Sequence, residues 1–286
     1  MLDRQQFVKD CSAVRGISPI ILNITNYVAM NISANALLAI GASPLMSSCQ
    51  QEMKELVALS DALVINIGCL DCLQIEAMET AAEEASRLGK PWVLDPVGAG
   101  ASRLRTETAL RLISRYSPNI IRCNASEILS LATEYTGKIP TASKQDQEQS
   151  ERKCRGVDSA CASYEVVEHA AAFASKSGAV VSVSGQTDYI TDGVRIECIS
   201  NGHPVMPHVT AMGCTASSIT AAFAAAGRNS FEAALHAMAL MGTVGEKAVS
   251  KCKELYGNVG TGSFQMHFMD MLTNSDAEEL AGMIRQ

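Results

Sequence analysis

The residues best suited to group-transfer chemistry lie in one stretch, 208–223, which reads His-Val-Thr-Ala-Met-Gly-Cys-Thr-Ala-Ser-Ser-Ile-Thr-Ala-Ala-Phe. It begins extended and polar, passes through Gly213 and continues as a small-residue helix to about Gly227. The first turn of a helix leaves backbone N–H groups without intrahelical partners. Together with the helix dipole, these groups form a ready site for an anion. Ala211, Gly213, Ala216 and Ser217 are small enough to let a ligand reach the backbone. Glycine at 213 also permits a left-handed turn. Cys214 stands at the helix start, where the local field lowers a thiol's pKa. Taken alone, these residues fit a phosphate site and a buried Ala-rich helix with an ordinary thiol equally well.

Asp95, Asn124 and Glu127 form a second group, each at the end of an apolar run. The runs 19–24, 62–68, 92–96, 119–124 and 179–185 read as buried strands, and 43–46 as a short extended piece. Helical patterns separate them, at 27–40 (N-capped by Thr25-Asn26), 51–59, 71–89, 103–115, 125 onward and 164–177. Residues 188–198 read as a hairpin with an Asp-Gly turn. Helices at 231–251, 264–272 and 276–284 close the chain, with 260–263 as a loop. Continuous apolar strands alternating with helices predict an α/β fold, with a mostly parallel sheet covered on both faces. Ligands of such sheets sit at the carboxyl ends of the strands. That is where these three residues fall, although Asp95 before a proline also suits a turn and Glu127 a helix start.

The 286 residues are 47% hydrophobic and 19% charged, enough for a sizeable core. A formal net charge of -7 argues against nucleic acid and anionic membranes as partners. It leaves room for a small phosphate compound held by backbone amides. The first residues show no signal-like run and no stretch approaches a membrane span, so a cytoplasmic protein is expected. In that setting the ten cysteines read as free thiols, including the lone Cys69-Leu70-Asp71-Cys72. Residues 136–155 are polar and poor in large apolar side chains, and read as a surface insertion. Gly98-Ala99-Gly100 lacks the third glycine of a dinucleotide motif, and no P-loop or G-x-S-x-G occurs. The five histidines show no metal-ligand spacing.

Several short runs together resemble one family: Thr25-Asn26, Gly41-Ala42-Ser43-Pro44-x-Met46, Asn66-Ile67-Gly68, Leu94-Asp95-Pro96-Val97, Arg122-Cys123-Asn124-Ala125-Ser126-Glu127, Val183-Ser184-Gly185-x-x-Asp188-Tyr189, and Gly213-Cys214. In this order the chain is similar to the hydroxyethylthiazole kinases of the ribokinase-like superfamily. The resemblance implies a three-layer fold in one domain over 1–286, and a homotrimer with active sites between subunits. The implied reaction is phosphorylation of 4-methyl-5-(2-hydroxyethyl)thiazole by ATP and Mg²⁺, a thiamine-salvage step. The implied roles are Met46 and Asn26 beside the thiazole, Arg122 and Ser184 on ATP, and Asp95 and Glu127 at the magnesium. The 211–214 turn would cradle the transferred phosphoryl group, with Ala211 against the substrate and Cys214 as the catalytic residue and a weak base. A kinase of a related alcohol such as hydroxymethylpyrimidine, and a ligand-binding relative without turnover, are the competing readings. Met46 and its run speak against the first. In one place the chain departs from the family. Ala211-Met212 stands where Gly-Thr or Gly-Ala is usual, and alanine there is strained if the position needs φ > 0.

Overall fold

The computed structural model describes residues 2–136, 163–227 and 229–286. The polar insertion expected over 136–155 lies outside these residues, except for Thr136 at the end of a helix. The element order is α1 (Arg4–Ile17), β1 (Ile20–Ile24), α2 (Met30–Ala39), β2 (Ser43–Met46), α3 (Met53–Leu59), β3 (Ala62–Asn66), α4 (Cys72–Leu88), β4 (Trp92–Asp95), α5 (Arg103–Tyr116), β5 (Ile120–Asn124) and α6 (Ala125–Thr136). It continues with α7 (Ser163–Ser177), β6 (Val180–Ser184), β7 (Asp188–Thr191), β8 (Ile196–Ile199), α8 (Met212–Ala225), α9 (Ser230–Tyr256), α10 (Thr261–Asn274) and α11 (Ala277–Met283).

The eight strands form one sheet in the order β2-β1-β3-β4-β5-β6-β7-β8. Strands β1 to β6 are mutually parallel, and β7 and β8 follow antiparallel. Alternate residues of each strand feed two cores. Ile21, Val64, Val93, Ile120 and Val180 face α1, α2 and α8 to α11. Leu22, Leu63, Leu94, Ile121 and Val181 face α3 to α7. This is the three-layer arrangement expected of apolar strands buried on both sides.

The sheet's topology also chooses a place for a ligand. The chain leaves β1 outward to β2, then returns past β1 to β3. Where strand order reverses, the connections diverge and leave a crevice at the carboxyl ends. The reversal of strand order here falls between β1 and β3. The parallel strands direct Asn26, Met46, Asn66, Asp95, Asn124 and Ser184 to that same edge of the sheet.

Some boundaries differ from the sequence reading. The helix expected at 27–40 starts at Met30. Residues 27–29 form a turn closed by Asn26, whose Oδ1 accepts from Ala29 N at 2.9 Å. Helix α1 had no counterpart in the sequence reading. Asp3 caps it, accepting from the backbone N–H groups of Gln5 and Gln6. Helix α10 starts at Thr261, inside the expected loop.

Candidate active site

Helix α8 lays its N-terminus over the β1–β3–β4 end of the sheet. The preceding residue, Ala211, has φ 65° and ψ 7°, in the left-handed region. Alanine has no side-chain acceptor, so no side chain caps the helix. Thr215 N reaches Ala211 O at 2.8 Å. The N–H groups of Met212, Gly213 and Cys214 precede the first intrahelical bond and are open to an anion. The left-handed residue is therefore Ala211, not Gly213. Glycine at 213 answers a different demand, because a Cβ there would lie 2.6 Å from Arg122 Nη1.

A hydrogen-bonded chain runs beneath this helix end. Asn26 Nδ2 donates to Cys214 Sγ at 3.4 Å and to Asn66 Oδ1 at 2.9 Å. Asn66 Nδ2 donates to Asp95 Oδ2 at 2.7 Å, and Ser217 Oγ donates to the same oxygen at 2.8 Å. Ser217 lies one turn beyond Gly213 on α8 and so ties the helix to β4. Burial pushes the Asp95 carboxyl above the usual carboxylate range. The nearby Arg122 and the hydrogen bonds from Ser217 and Asn66 oppose that rise. The Cys214 thiol is pushed up to about 11, chiefly by burial and then by the Asp95 charge. The helix-start field expected to lower it does not prevail. At neutral pH Cys214 is a thiol.

Arg122, in the middle of β5, lies against Gly213 at the start of α8. Its side chain is buried, and Nε has no hydrogen-bond partner among the described residues. A buried orphan donor costs free energy unless a ligand supplies the acceptor. Glu127 sits in the first turn of α6 as one arm of a reciprocal cap. Its Oε2 accepts from Asn124 N at 2.9 Å, while Asn124 Oδ1 accepts from Glu127 N at 2.9 Å. Its Oε1 accepts from Gly98 N at 2.8 Å. Burial, then the Asp95 charge, raise its carboxyl. The helix-start reading of Glu127 is thus realised, and its oxygens retain further lone pairs.

Ser184 stands opposite Asn124 in the sheet, its hydroxyl on Cys123 O at 3.3 Å. Met46 ends the edge strand in register with Asn23 and is half-buried. Hydrogen bonds join Asn26 to Cys214 directly and to Asp95 through Asn66. The structure sets Arg122 against Gly213, and leaves Met46 and Ser184 at the two flanks.

Three contributors escaped the sequence reading as individuals. Asn66 is one, and Ser217, read there only as a small residue, is the second through its bond to Asp95. Arg105 on α5 is the third: its guanidinium donates to the carbonyls of Ile67 at 2.9 Å, Gly68 at 2.8 Å and Val97 at 2.7 Å. It thereby pins together the loops that follow β3 and β4. Asp188, quoted only within a longer run, accepts from Gly185 N at 3.0 Å, and burial pushes its carboxyl up to about 6.

The donor set can be tested against a magnesium ion. Among the described residues no group of three or more His, Cys, Asp or Glu side chains could enclose a metal. Mg²⁺ is characteristically held by one or two carboxylates, waters and substrate phosphates. Asp95, with Oδ1 outside the hydrogen bonds above, and Glu127 fit such an ion. The orphaned Arg122 and the uncapped α8 terminus fit its phosphates.

The mostly parallel sheet, with an anion-ready helix start at its switch point and a buried arginine beside it, has a ribokinase-like α/β fold. The fold is shared with a ribokinase-like superfamily protein from Enterococcus faecalis, at 12% identity and a TM-score of 0.62 over 95% of this chain and 94% of that one. The chain belongs to the Hydroxyethylthiazole kinase family, whose model matches residues 11–278. It is 44% identical over 273 residues to a hydroxyethylthiazole kinase of Leptospira biflexa, covering 96% of this chain and 94% of the relative. A solved hydroxyethylthiazole kinase from Pyrococcus horikoshii matches with a TM-score of 0.80 at 34% identity, covering 95% and 94% of the two chains.

Proposed function

We propose that this chain transfers the γ-phosphoryl group of ATP to the primary alcohol of 4-methyl-5-(2-hydroxyethyl)thiazole, and so serves thiamine salvage. Family membership supports the substrate. The observation that carries the chemistry is the uncapped start of α8, with Cys214 and Asp95 joined beneath it at the switch point.

Phosphoryl transfer has a loose transition state with charge spread over the transferred oxygens, so positioning and fixed donors supply most of the rate. The amides of Met212, Gly213 and Cys214 face that charge. Arg122 brings a guanidinium whose Nε lacks an acceptor, and the Ser184 hydroxyl flanks the nucleotide. Asp95 and Glu127 would hold Mg²⁺, which supplies charge neutralisation on the phosphate oxygens. Asn26 and Met46 line the thiazole end. Cys214 lies where the alcohol proton leaves. As a thiol with its pKa near 11, it is a poor base at neutral pH, which suits a slow enzyme resting on positioning.

We read the chain as one domain with a polar insertion, acting as a cytoplasmic homotrimer with active sites between subunits. Tyr27, Val28 and Leu73 support the last point, being large, apolar and exposed around Asn26 and the start of α4. No helix of the described residues is long and apolar enough to cross a membrane.

The test is a coupled ADP-release assay with MgATP, offering hydroxyethylthiazole and hydroxymethylpyrimidine in parallel. Turnover on the thiazole alone is expected. Turnover on the pyrimidine alone would move the chain to the neighbouring kinase class. Folded protein inactive on both would favour the ligand-binding reading.

A further inference from the structure

Asn66 ends β3 at the switch point, and its side chain is almost fully buried. Two backbone N–H groups fix which way the amides of this site point, because an N–H can only donate. Gly68 N donates to Asn66 Oδ1 at 2.9 Å, which forces the Asn66 NH₂ toward Asp95. Ala29 N donates to Asn26 Oδ1 at 2.9 Å, which forces the Asn26 NH₂ inward, onto Asn66 Oδ1 and Cys214 Sγ. The hydrogen-bonded chain therefore has a single sense, with Asn66 at its centre between Asp95 and Asn26. Gly68 clears the space for it. A Cβ at 68 would lie 2.7 Å from Asn26 Nδ2 and 2.9 Å from Asn66 Oδ1.

We propose that Asn66 is a positioning residue that holds the Asp95 carboxylate and, through Asn26, the Cys214 thiol in one fixed arrangement. The inference rests on the kinase reading for its kinetic consequence. The side chain of Asn66 is taken up by Asn26, Asp95 and Gly68 N. It acts by setting the angle of Asp95 and by keeping the Asn26 amide on the sulfur. Well-oriented groups contribute much of the rate in such sites, and small misplacements are costly. Loss of Asn66 should therefore reduce kcat more than it disturbs nucleotide affinity.

The experiment is a double-mutant cycle of Asn66→Leu with Cys214→Ser, read in kcat, in KM for MgATP and in melting temperature. Asn66→Leu should lower kcat by at least about tenfold while KM for MgATP moves less than about threefold. Residues of one network are non-additive, so the double variant should be no more than about threefold slower than Cys214→Ser alone. A kcat loss equal to the product of the single losses would mean a merely structural role and overturn the proposal. If Asn66→Leu does not fold, Gly68→Ala takes its place, since it displaces the same two amides without removing a polar group. If the unsubstituted protein shows no turnover, the kinase reading falls and melting alone decides. Non-additive losses for Asn66→Leu and Asn26→Ala would then uphold the shared arrangement, and additive losses would overturn it.

Discussion

Replacing Ala211 by glycine isolates the one place where this chain strains its backbone at the site. Ala211 sits at φ 65° with no side-chain bond to compensate. The left-handed region costs a non-glycine residue about 1–2 kcal/mol. Glycine escapes that cost but releases about 0.5–1 kcal/mol more conformational entropy to the unfolded chain. Ala211 is half-buried, so losing its methyl costs a further ~0.4 kcal/mol, about half of a fully buried CH₂. The balance runs from a loss of about 0.4 kcal/mol to a gain of about 1 kcal/mol, with its midpoint slightly on the stabilising side. At roughly 2.1 cal/mol/K of unfolding entropy per residue, 1 kcal/mol is about 2 °C in a chain of this size. Ala221→Gly, inside the same helix and fully buried, is the control. It forfeits about 1 kcal/mol of helix propensity and ~0.8 kcal/mol of burial, a fall of roughly 3 °C. Thermal unfolding followed by circular dichroism should show Ala211→Gly between about 1 °C below and about 2 °C above the parent, and Ala221→Gly clearly below both. Since glycine keeps the same turn, KM for MgATP should stay within about twofold. A fall for Ala211→Gly as large as the control's would refute the strain argument.

Other perturbations probe the charges. Cys214→Asp should leave turnover intact or raise it, measured by ADP release, because a carboxylate is a better proton acceptor at neutral pH than a thiol near 11. Loss of turnover in a folded Cys214→Asp protein would count against that role. Asp95→Asn should raise the melting temperature at neutral pH while lowering kcat at least about 100-fold. Asp95's folded pKa lies above its unfolded value, so its ionisation opposes folding as pH rises through that window, and asparagine removes the opposition. His236 tests the opposite sign. It is buried against Asp10 at 2.8 Å between Phe7 and Phe223, and burial lowers its pKa despite that partner. The unfolded chain therefore takes up its proton first, and stability falls as pH drops below about 6.5. His236→Gln should flatten that acid slope in melting curves recorded from pH 5 to 8. An unchanged slope would exclude His236 as its source.

Much of the fold was legible because strands buried on both faces are continuous apolar runs, and each of those runs became a strand. Helix α1 was not legible, since its buried face carries Asp10 between Phe7 and Val14, and a carboxylate there interrupts the apolar pattern. Asp95, Glu127 and Cys214 could be placed because strand ends and a helix start are local features. Asn66, Ser217 and Arg105 could not, because their roles arise from pairings between residues 29 to 122 positions apart, or with carbonyls of other loops. Gly213 misled in an instructive way. A glycine before a helix suggests positive φ, yet the chain spends it on room for Arg122 and places the left-handed turn on alanine.

The central claim is phosphoryl transfer to the thiazole alcohol, and the product tests it most directly. Purified protein should be incubated with γ-labelled ATP, magnesium and hydroxyethylthiazole, and the products separated and weighed by mass spectrometry. Label is expected in a phosphate monoester of the thiazole, in amounts matching the ADP formed. ADP accompanied only by labelled inorganic phosphate, from protein shown to be folded, would contradict it.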